Sequence, residues 1–316
     1  MIVLGIETSC DETAASLVKD GKKVLSNIVA SSLPLHKKFG GIVPEIASRA
    51  HLESINFVVK EALRQAKKKL ADIDLIAVTS HPGLIGSLLV GVSFAKGLGC
   101  SLKKPVAEID HIQAHLYSCF LKGKTPDFPF IGLVVSGGHT NLFLVKNFNS
   151  FKVLGTTLDD AAGEAFDKVA KILNLGFPGG PIIDRISKKV KDYRIKFSYS
   201  ELPGSFNFSF SGLKTAVLYY VKKNKNAKRS EIAACFQEAV IRNLIDKAML
   251  ACRKKNINKL VLGGGVAANS SLRERLITES ESNGIKVYLP EKDFCVDNAA
   301  MVAGLAFRVY RNGGGL

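Results

Sequence analysis

None of the six cysteines in this 316-residue chain (Cys10, Cys100, Cys119, Cys235, Cys252 and Cys295) belongs to a CxxC pair. Their scatter excludes a cysteine-based zinc site and supports no disulfide framework, so they read as reduced thiols, several buried as small apolar groups. No apolar run is read as long enough for a membrane-spanning helix. The N-terminal "MIVLGIETSC" has no basic residues ahead of its apolar ones and no small-residue cleavage site. It reads as a core strand rather than a signal peptide. These absences point to a soluble, non-secreted, cytoplasmic protein. Acidic residues are also scarce, 28 against 44 basic ones, for a net charge of +16. Such an excess favours a polyanionic partner, because every phosphate neutralised releases condensed counterions; the bland alternative is a set of solvated Lys-rich helix faces. The basic residues gather in "RQAKKKL", "SLKKP", "SKKVKDYRIK", "VKKNKNAKR" and "CRKKN".

What is present alternates between strands and helices. "IVLGIET" and "AASLVKDGKKVLSNIVAS" read as a strand and a hairpin turning at Asp20-Gly21. From Pro44 to Leu70, Ile46, Ala50, Ile55, Val58, Val59, Ala62, Leu63 and Ala66 fall at helical spacing. "DLIAVTS" is a buried strand, "LIGSLLVGVSFAKGL" a buried helix, and "PVAEI" a strand leading into "DHIQAH". The layout then restarts: "IGLVVSGGHTNLFLVKNFNSFKVLGTTL" repeats the strand, small polar loop, strand, turn, strand order of "LGIETSCDETAASLVKDGKKVLSNIV". Helices follow near 160–173, 211–223 and 230–254, then the strand "KLVLG", a helix from Asn269, the strand "IKVYLP" and a last helix from Asp297. "GKTPDFP" marks a boundary, giving lobes of residues 1–124 and 125–316, with the last helix packing back on the first lobe. Two lobes that each open on a hairpin describe, by analogy, an α/β actin-like architecture (the ASKHA, sugar-kinase and Hsp70-type ATPase fold) with duplicated subdomains around a central cleft.

Several catalytic signatures are missing, which narrows the chemistry. His111 and His115 leave one face of a helix, a spacing with which two imidazoles can hold one cation. The residue after His111 is Ile112, where a zinc protease carries the general-base glutamate of HExxH. A metal also needs a third ligand. Asp110 is adjacent, and Asp297 in "EKDFCVDNAAMVA" would complete a His-His-Asp set, although a helix cap suits that aspartate equally. "VVSGGHT" and "VLGGGVAANSSLRERL" place glycines where backbone N–H groups can meet an anion, the second ahead of a helix capped by Asn269. Neither matches GxGxxG or GxxxxGK[ST], so Rossmann and P-loop chemistry lack support. In "TLDDAAGEAFDKVAK", Asp160, Glu164, Asp167 and Lys168 are expected on one helix face, and "GFPGGPIID" offers Gly179 and Gly180 to a ribose or phosphate.

Together these stretches resemble the tRNA adenosine threonylcarbamoyltransferases, in their bacterial branch. "GIETSCDETA", "GGIVPEIASRAH", "PGLIGSLLVG", "HIQAH", "VVSGGHTNL", "LDDAAGEAFDKVAK", "PGGP", "FSFSGLKTA", "GGGVAANSSLR" and "DNAAMVA" occur in the family's order over nearly the whole chain. The resemblance implies one divalent metal, Fe(2+) first and Zn(2+) second, on His111, His115 and Asp297. It implies threonylcarbamoyl-AMP against Val134, Val135, Ser136, Gly137 and Gly138, with Asp167, Gly180, Asp184 and Asn269 around its nucleotide part. Asp11 and Glu12 are then candidates to orient or deprotonate the attacking amine. The implied reaction acylates the exocyclic amine of the adenosine just 3′ of the anticodon, in tRNAs reading codons that begin with A. The implied partners are tRNA, an inactive paralogue and a small P-loop ATPase. Two positions depart from the family pattern: His81 precedes a Pro-Gly where glycine is usual, and Asp110 precedes His111, where it is a candidate acceptor for a ligand imidazole. The competing readings are a metalloprotease, an ATPase or small-molecule kinase on the same fold, and a metal-free scaffold partner.

Overall fold

Asp20 and Gly21 take positive φ values of 54° and 71°, and Lys22 N donates to Lys19 O at 3.2 Å. Two left-handed residues in a turn match the twist of the strands they join. Here those are β2 (Glu12–Lys19) and β3 (Lys23–Ser31), and β1 (Ile2–Glu7) pairs antiparallel with β2. The computed structural model describes residues 1–123, 125–190, 194–200 and 202–311. Lys124, in the stretch read as a boundary, and residues 191–193, in one basic cluster, lie outside the described residues.

A short turn, α1 (Leu33–His36), precedes α2 (Pro44–Ala66), which starts on a proline where a missing N–H costs nothing. The buried stripe of α2 runs through Ala47, His51, Ile55, Val58, Val59 and Ala62, so its first turns bury Ala47 and His51 rather than Ile46 and Ala50. β4 (Leu75–His81) and β5 (Val106–Asp110) extend the sheet in parallel, giving the order β3-β2-β1-β4-β5. β4 is buried from Leu75 to Thr79 without alternation, as a parallel strand covered on both faces should be. Between these strands runs α3 (Ile85–Leu102), and α4 (His111–Leu121) follows β5.

The second half repeats this topology. β6 (Phe130–Val135), β7 (Thr140–Asn147) and β8 (Ser150–Thr156) form the antiparallel meander. The helices α5 (Ala162–Ile172), α6 (Gly179–Ser187), α7 (Ser211–Lys223) and α8 (Arg229–Lys255) come next. β9 (Lys259–Gly263), α9 (Ser270–Ser282) and β10 (Lys286–Tyr288) follow, with β9 and β10 parallel to β6. The order β8-β7-β6-β9-β10 matches that of the first sheet strand for strand. The repeat visible in the sequence is therefore a repeat of topology.

By contacts the chain forms two compact units, one of Met1–Thr125 with the chain from Pro290 onward, the other of Pro126–Leu289. The last helix, α10 (Ala299–Arg311), packs on β1 and α4 in the first unit. Two glycines permit that approach. A Cβ at Gly5 would lie 2.2 Å from Ala299 O, and one at Gly304 would lie 2.3 Å from Tyr117 Cε1.

α3 departs from expectation twice. It is long and apolar enough by length and composition to cross a membrane, and only 22% of it is buried in the structure. Its buried residues are Ser87, Gly91, Ala95 and Gly99, a stripe of small side chains one turn apart, while Ile85 and Leu89 face outward. Small residues make the fully buried contact, while Val90, Val92, Phe94, Leu98 and Leu102 pack half-buried at its edges. Leu52 and Phe57 of α2 are exposed too. All six cysteines are free, and Cys119, Cys235, Cys252 and Cys295 are buried.

Candidate functional site

Asp110 ends β5 and caps α4, its Oδ1 accepting from Gln113 N at 2.8 Å. The helix therefore starts at His111, and His115 follows one turn later. α10 begins at Ala299, and its cap is Asn298, whose Oδ1 accepts from Met301 N. Asp297 is thus relieved of the capping role and turns toward the histidines. Its Oδ1 lies 3.1 Å from His115 Nε2 and 3.7 Å from His111 Nε2. The candidate ligand atoms of all three residues lie within 4.8 Å of one another.

This cluster fits a divalent metal. His115 is fully buried; its Nδ1 has no hydrogen-bond partner, and its Nε2 meets Asp297 Oδ1 at 3.1 Å without forming a hydrogen bond. A buried imidazole without a hydrogen bond loses its hydration with little in return, unless a cation takes the lone pair. Tetrahedral coordination at about 2.0–2.1 Å puts ligand atoms roughly 3.3–3.5 Å apart, close to the 3.1 and 3.7 Å from Asp297 to the two imidazoles.

The orientation of His111 comes from β1. Glu7, fully buried at the end of that strand, faces His111 Nδ1 through Oε2 at 3.0 Å. Thr79 Oγ1 donates to the same oxygen at 2.6 Å, and Ser9 N donates to Oε1 at 2.6 Å. Ser9 Oγ lies 3.1 Å from His111 Nδ1. With Nδ1 engaged on this side, Nε2 is the nitrogen aimed at Asp297. Burial works against a charged imidazole, yet Asp297 and Glu7 outweigh it and hold His111 up at about 9. Glu7 sits below the usual carboxylate range: burial raises it, and the His111 charge and hydrogen bond more than reverse that. The pocket is thus an anionic one that attracts a positive charge. Asp110, expected as the acceptor for a ligand imidazole, spends its oxygens on the helix cap and on His81 Nε2 at 3.5 Å. Glu7 holds that position instead.

The loop from Ser9 to Glu12 is pinned from α2. His51 Nε2 lies 3.0 Å from Cys10 O, and its Nδ1 lies 2.7 Å from Thr13 Oγ1. Burial keeps His51 below the usual imidazole range, so it is a neutral clamp. Ser32 N and Oγ both donate to Asp11 O at 2.9 Å. Burial and the neighbouring Asp297 and Asp11 carboxylates push Glu12 up to about 10. A carboxyl held protonated donates a hydrogen bond rather than removing a proton. Burial and the same acidic neighbours push the Cys10 thiol up as well, which leaves it unreactive.

In the second unit, Val134 and Val135 are fully buried in β6, so their side chains cannot meet a ligand. Ser136–His139 closes the β6–β7 hairpin, with Ser136 N donating to His139 O at 2.8 Å and His139 N to Ser136 Oγ at 3.1 Å. Gly137 and Gly138 are exposed in that turn, with open space where a Cβ would stand. The start of α5 abuts it, Gly163 N donating to Ser136 O at 3.2 Å, and Gly264 passes against the Val135 backbone. Asp167 Oδ1 accepts from Gly179 N at 2.6 Å, tying α5 to the start of α6, beside the open position at Gly180. Asp184 accepts from Ser270 Oγ at 2.8 Å, and Asn269 caps α9 through Leu272 N while donating to Gln237 Oε1. Asp160, Glu164, Asp167 and Lys168 do not share one role. Lys168 pairs with Asp160 and Glu164, whereas Asp167 turns to α6.

Sequence reasoning missed Glu7, Ser9, Thr79 and His51. The available signals were a carboxylate ending an otherwise apolar strand and a histidine inside the apolar stripe of α2.

A model of the tRNA N6-adenosine threonylcarbamoyltransferase family matches residues 23–304. Proteins named tRNA N6-adenosine threonylcarbamoyltransferase from Dictyoglomus turgidum and Thermosipho africanus are 51% and 52% identical to this chain. Each match covers 99% of this chain, and 95% and 96% of those proteins. Among solved structures, full-length HypF in its phosphate- and nucleotide-bound form has a TM-score of 0.65 at 17% identity, over 99% of this chain and 47% of that one. Component A of the Acidaminococcus fermentans (R)-2-hydroxyglutaryl-CoA dehydratase has a TM-score of 0.59 at 16% identity, over 97% and 98%. At such identities the likeness shows the fold alone, which is the actin-like α/β fold expected from the repeat.

Proposed function

Because the chain belongs to the tRNA N6-adenosine threonylcarbamoyltransferase family, we propose that it moves threonylcarbamoyl from threonylcarbamoyl-AMP to tRNA. The acceptor is the exocyclic amine of the adenosine just 3′ of the anticodon, in tRNAs reading codons that begin with A. The observation that carries this reading is the convergence of His111, His115 and Asp297, with the buried His115 ring making no hydrogen bond. Two imidazoles and one carboxylate suit iron(II) first and zinc second. A divalent ion on these three residues would supply Lewis acidity and an anchor for the acyl group.

The chain's own groups then take the remaining roles. Exposed N–H groups of the Ser136–Gly138 turn steady the adenylate phosphate, and the region of Gly180, Asp184 and Asn269 receives the nucleoside. Val134 and Val135 serve through the backbone they place. Asp11 orients the attacking amine and accepts its proton; Glu12, held protonated, donates to a developing oxyanion. The apolar groove between α2 and α3, lined by Leu52, Leu89 and Phe94, supports a protein partner, the inactive paralogue, with a small P-loop ATPase completing the assembly in the cytoplasm.

The test supplies the protein and its partners with threonine, bicarbonate, ATP and unmodified tRNA, then digests the tRNA for nucleoside analysis. Threonylcarbamoyladenosine is expected with wild type and is lost in His115→Ala. Peptide cleavage without modified nucleoside would replace this reading with the protease.

A further inference from the structure

Residues 185–229 hold twelve Lys and Arg against two acids, Asp192 and Glu201, a net of +10 in a chain whose net charge is +16. α7 contains no acidic residue. Lys188 and Lys214 pair with Asp184 and Asp160, whereas the lysines at the end of α7 have no acid one turn away on their own helix.

The fold brings parts of this stretch onto one face. From Arg194 to Ser200 exposure alternates, with Ile195, Phe197 and Tyr199 half-buried and Lys196 turned outward. The strip is pinned across two helices. The Phe197 ring packs edge-on to Tyr220 of α7, centroids 5.8 Å apart, and the Tyr199 hydroxyl donates to Asp246 of α8. Lys196 therefore lies near the last turn of α7, where Lys222 and Lys223 are exposed, and the α7–α8 corner adds Lys225 and Lys228. Among the described residues none of these five lysines is in an ion pair, whereas Lys96, Lys122, Lys259 and Arg275 elsewhere are paired with acids. Tyr219, 65% exposed, stands one turn from Lys222 and Lys223 on the same helix face. Unneutralised cations beside an exposed ring suit a nucleic acid, with phosphates on the lysines and an unpaired base on the tyrosine.

We infer that this face of the second unit, from Lys196 across the end of α7 to Lys228, holds the phosphate backbone of the tRNA. The inference rests on the proposed function and names the surface it uses. The test measures equilibrium binding of unmodified tRNA to the full-length chain with its proposed partners across a salt series. The variants are Lys196→Glu/Lys222→Glu/Lys223→Glu/Lys225→Glu and, as a control from the turn that follows α2, Lys67→Glu/Lys69→Glu. Each phosphate contact adds about 0.7–0.9 to the slope of log affinity against log salt. Losing four contacts should lower the slope by about 3 and weaken binding at least tenfold. The control should retain both, and Tyr219→Ala should weaken binding with the slope unchanged. If wild type binds and the fourfold variant binds equally with an unchanged slope, or if the control loses as much, this inference alone falls. If wild type does not bind tRNA, the functional reading falls with it.

Discussion

Glu7 has both carboxylate oxygens engaged, one by Ser9 N and the other by Thr79 Oγ1 and His111 Nδ1. A ligand imidazole held this way keeps its orientation and its basicity. Glu7→Gln keeps the size but puts a neutral amide against Nδ1. Affinity for Zn(2+) or anaerobic Fe(2+), measured by calorimetric titration, should fall about 10–100-fold with the fold retained. An unchanged affinity would show that His111 needs no orienting partner. Glu12 makes a second test possible. Unfolded, its carboxyl loses the proton near 4.5; folded, near 10. Between those values the folded state binds the extra proton, so the contribution of Glu12 to stability falls as pH rises. Glu12→Gln removes that loss. The metal-free variant should melt above wild type near about pH 8, and the gap should close toward about pH 4. A gap of equal size at both ends would contradict the protonated Glu12.

At the scale of elements, α10 is what delivers Asp297, and Gly304 sets how closely that helix meets α4. Alanine there would gain about 1 kcal/mol of helix propensity. Against this, the new methyl would sit 2.3 Å from Tyr117 Cε1, on a buried ring whose hydroxyl donates to Gly21 O. Overpacking of this kind costs about 1–3 kcal/mol, so the clash wins. Gly304→Ala should lower the denaturant midpoint, and a raised midpoint would mean the two helices can part freely. α3 teaches a related lesson. Hydropathy located the helix but overstated its burial: only Ser87, Gly91, Ala95 and Gly99 are fully buried, with larger apolar residues half-buried beside them.

For the molecule as a whole, the duplicated sheets were legible because a hairpin announces itself locally. Asp20-Gly21 sets a turn, and apolar strands on either side of a small polar loop recur in "LGIETSC" and "IGLVVSG". The histidine pair was legible for the same reason, since helix periodicity alone puts i and i+4 on one face. The excess of positive charge was countable from composition. Its concentration on one face was not, because that depends on Phe197 and Tyr199 fastening an extended strip over α7 and α8.

The sequence by itself determined the element order, the repeat, the paired imidazoles and the lack of a protease base at Ile112. These follow from local geometry or from residue identity. Only the tertiary structure decided that Asp297 leaves the cap to Asn298 and reaches His115. It alone decided that Glu7, rather than the adjacent Asp110, steadies His111, and that Glu12 keeps its proton. Each of those outcomes depends on which distant groups share a buried, poorly solvated space, and chain spacing carries no information about that.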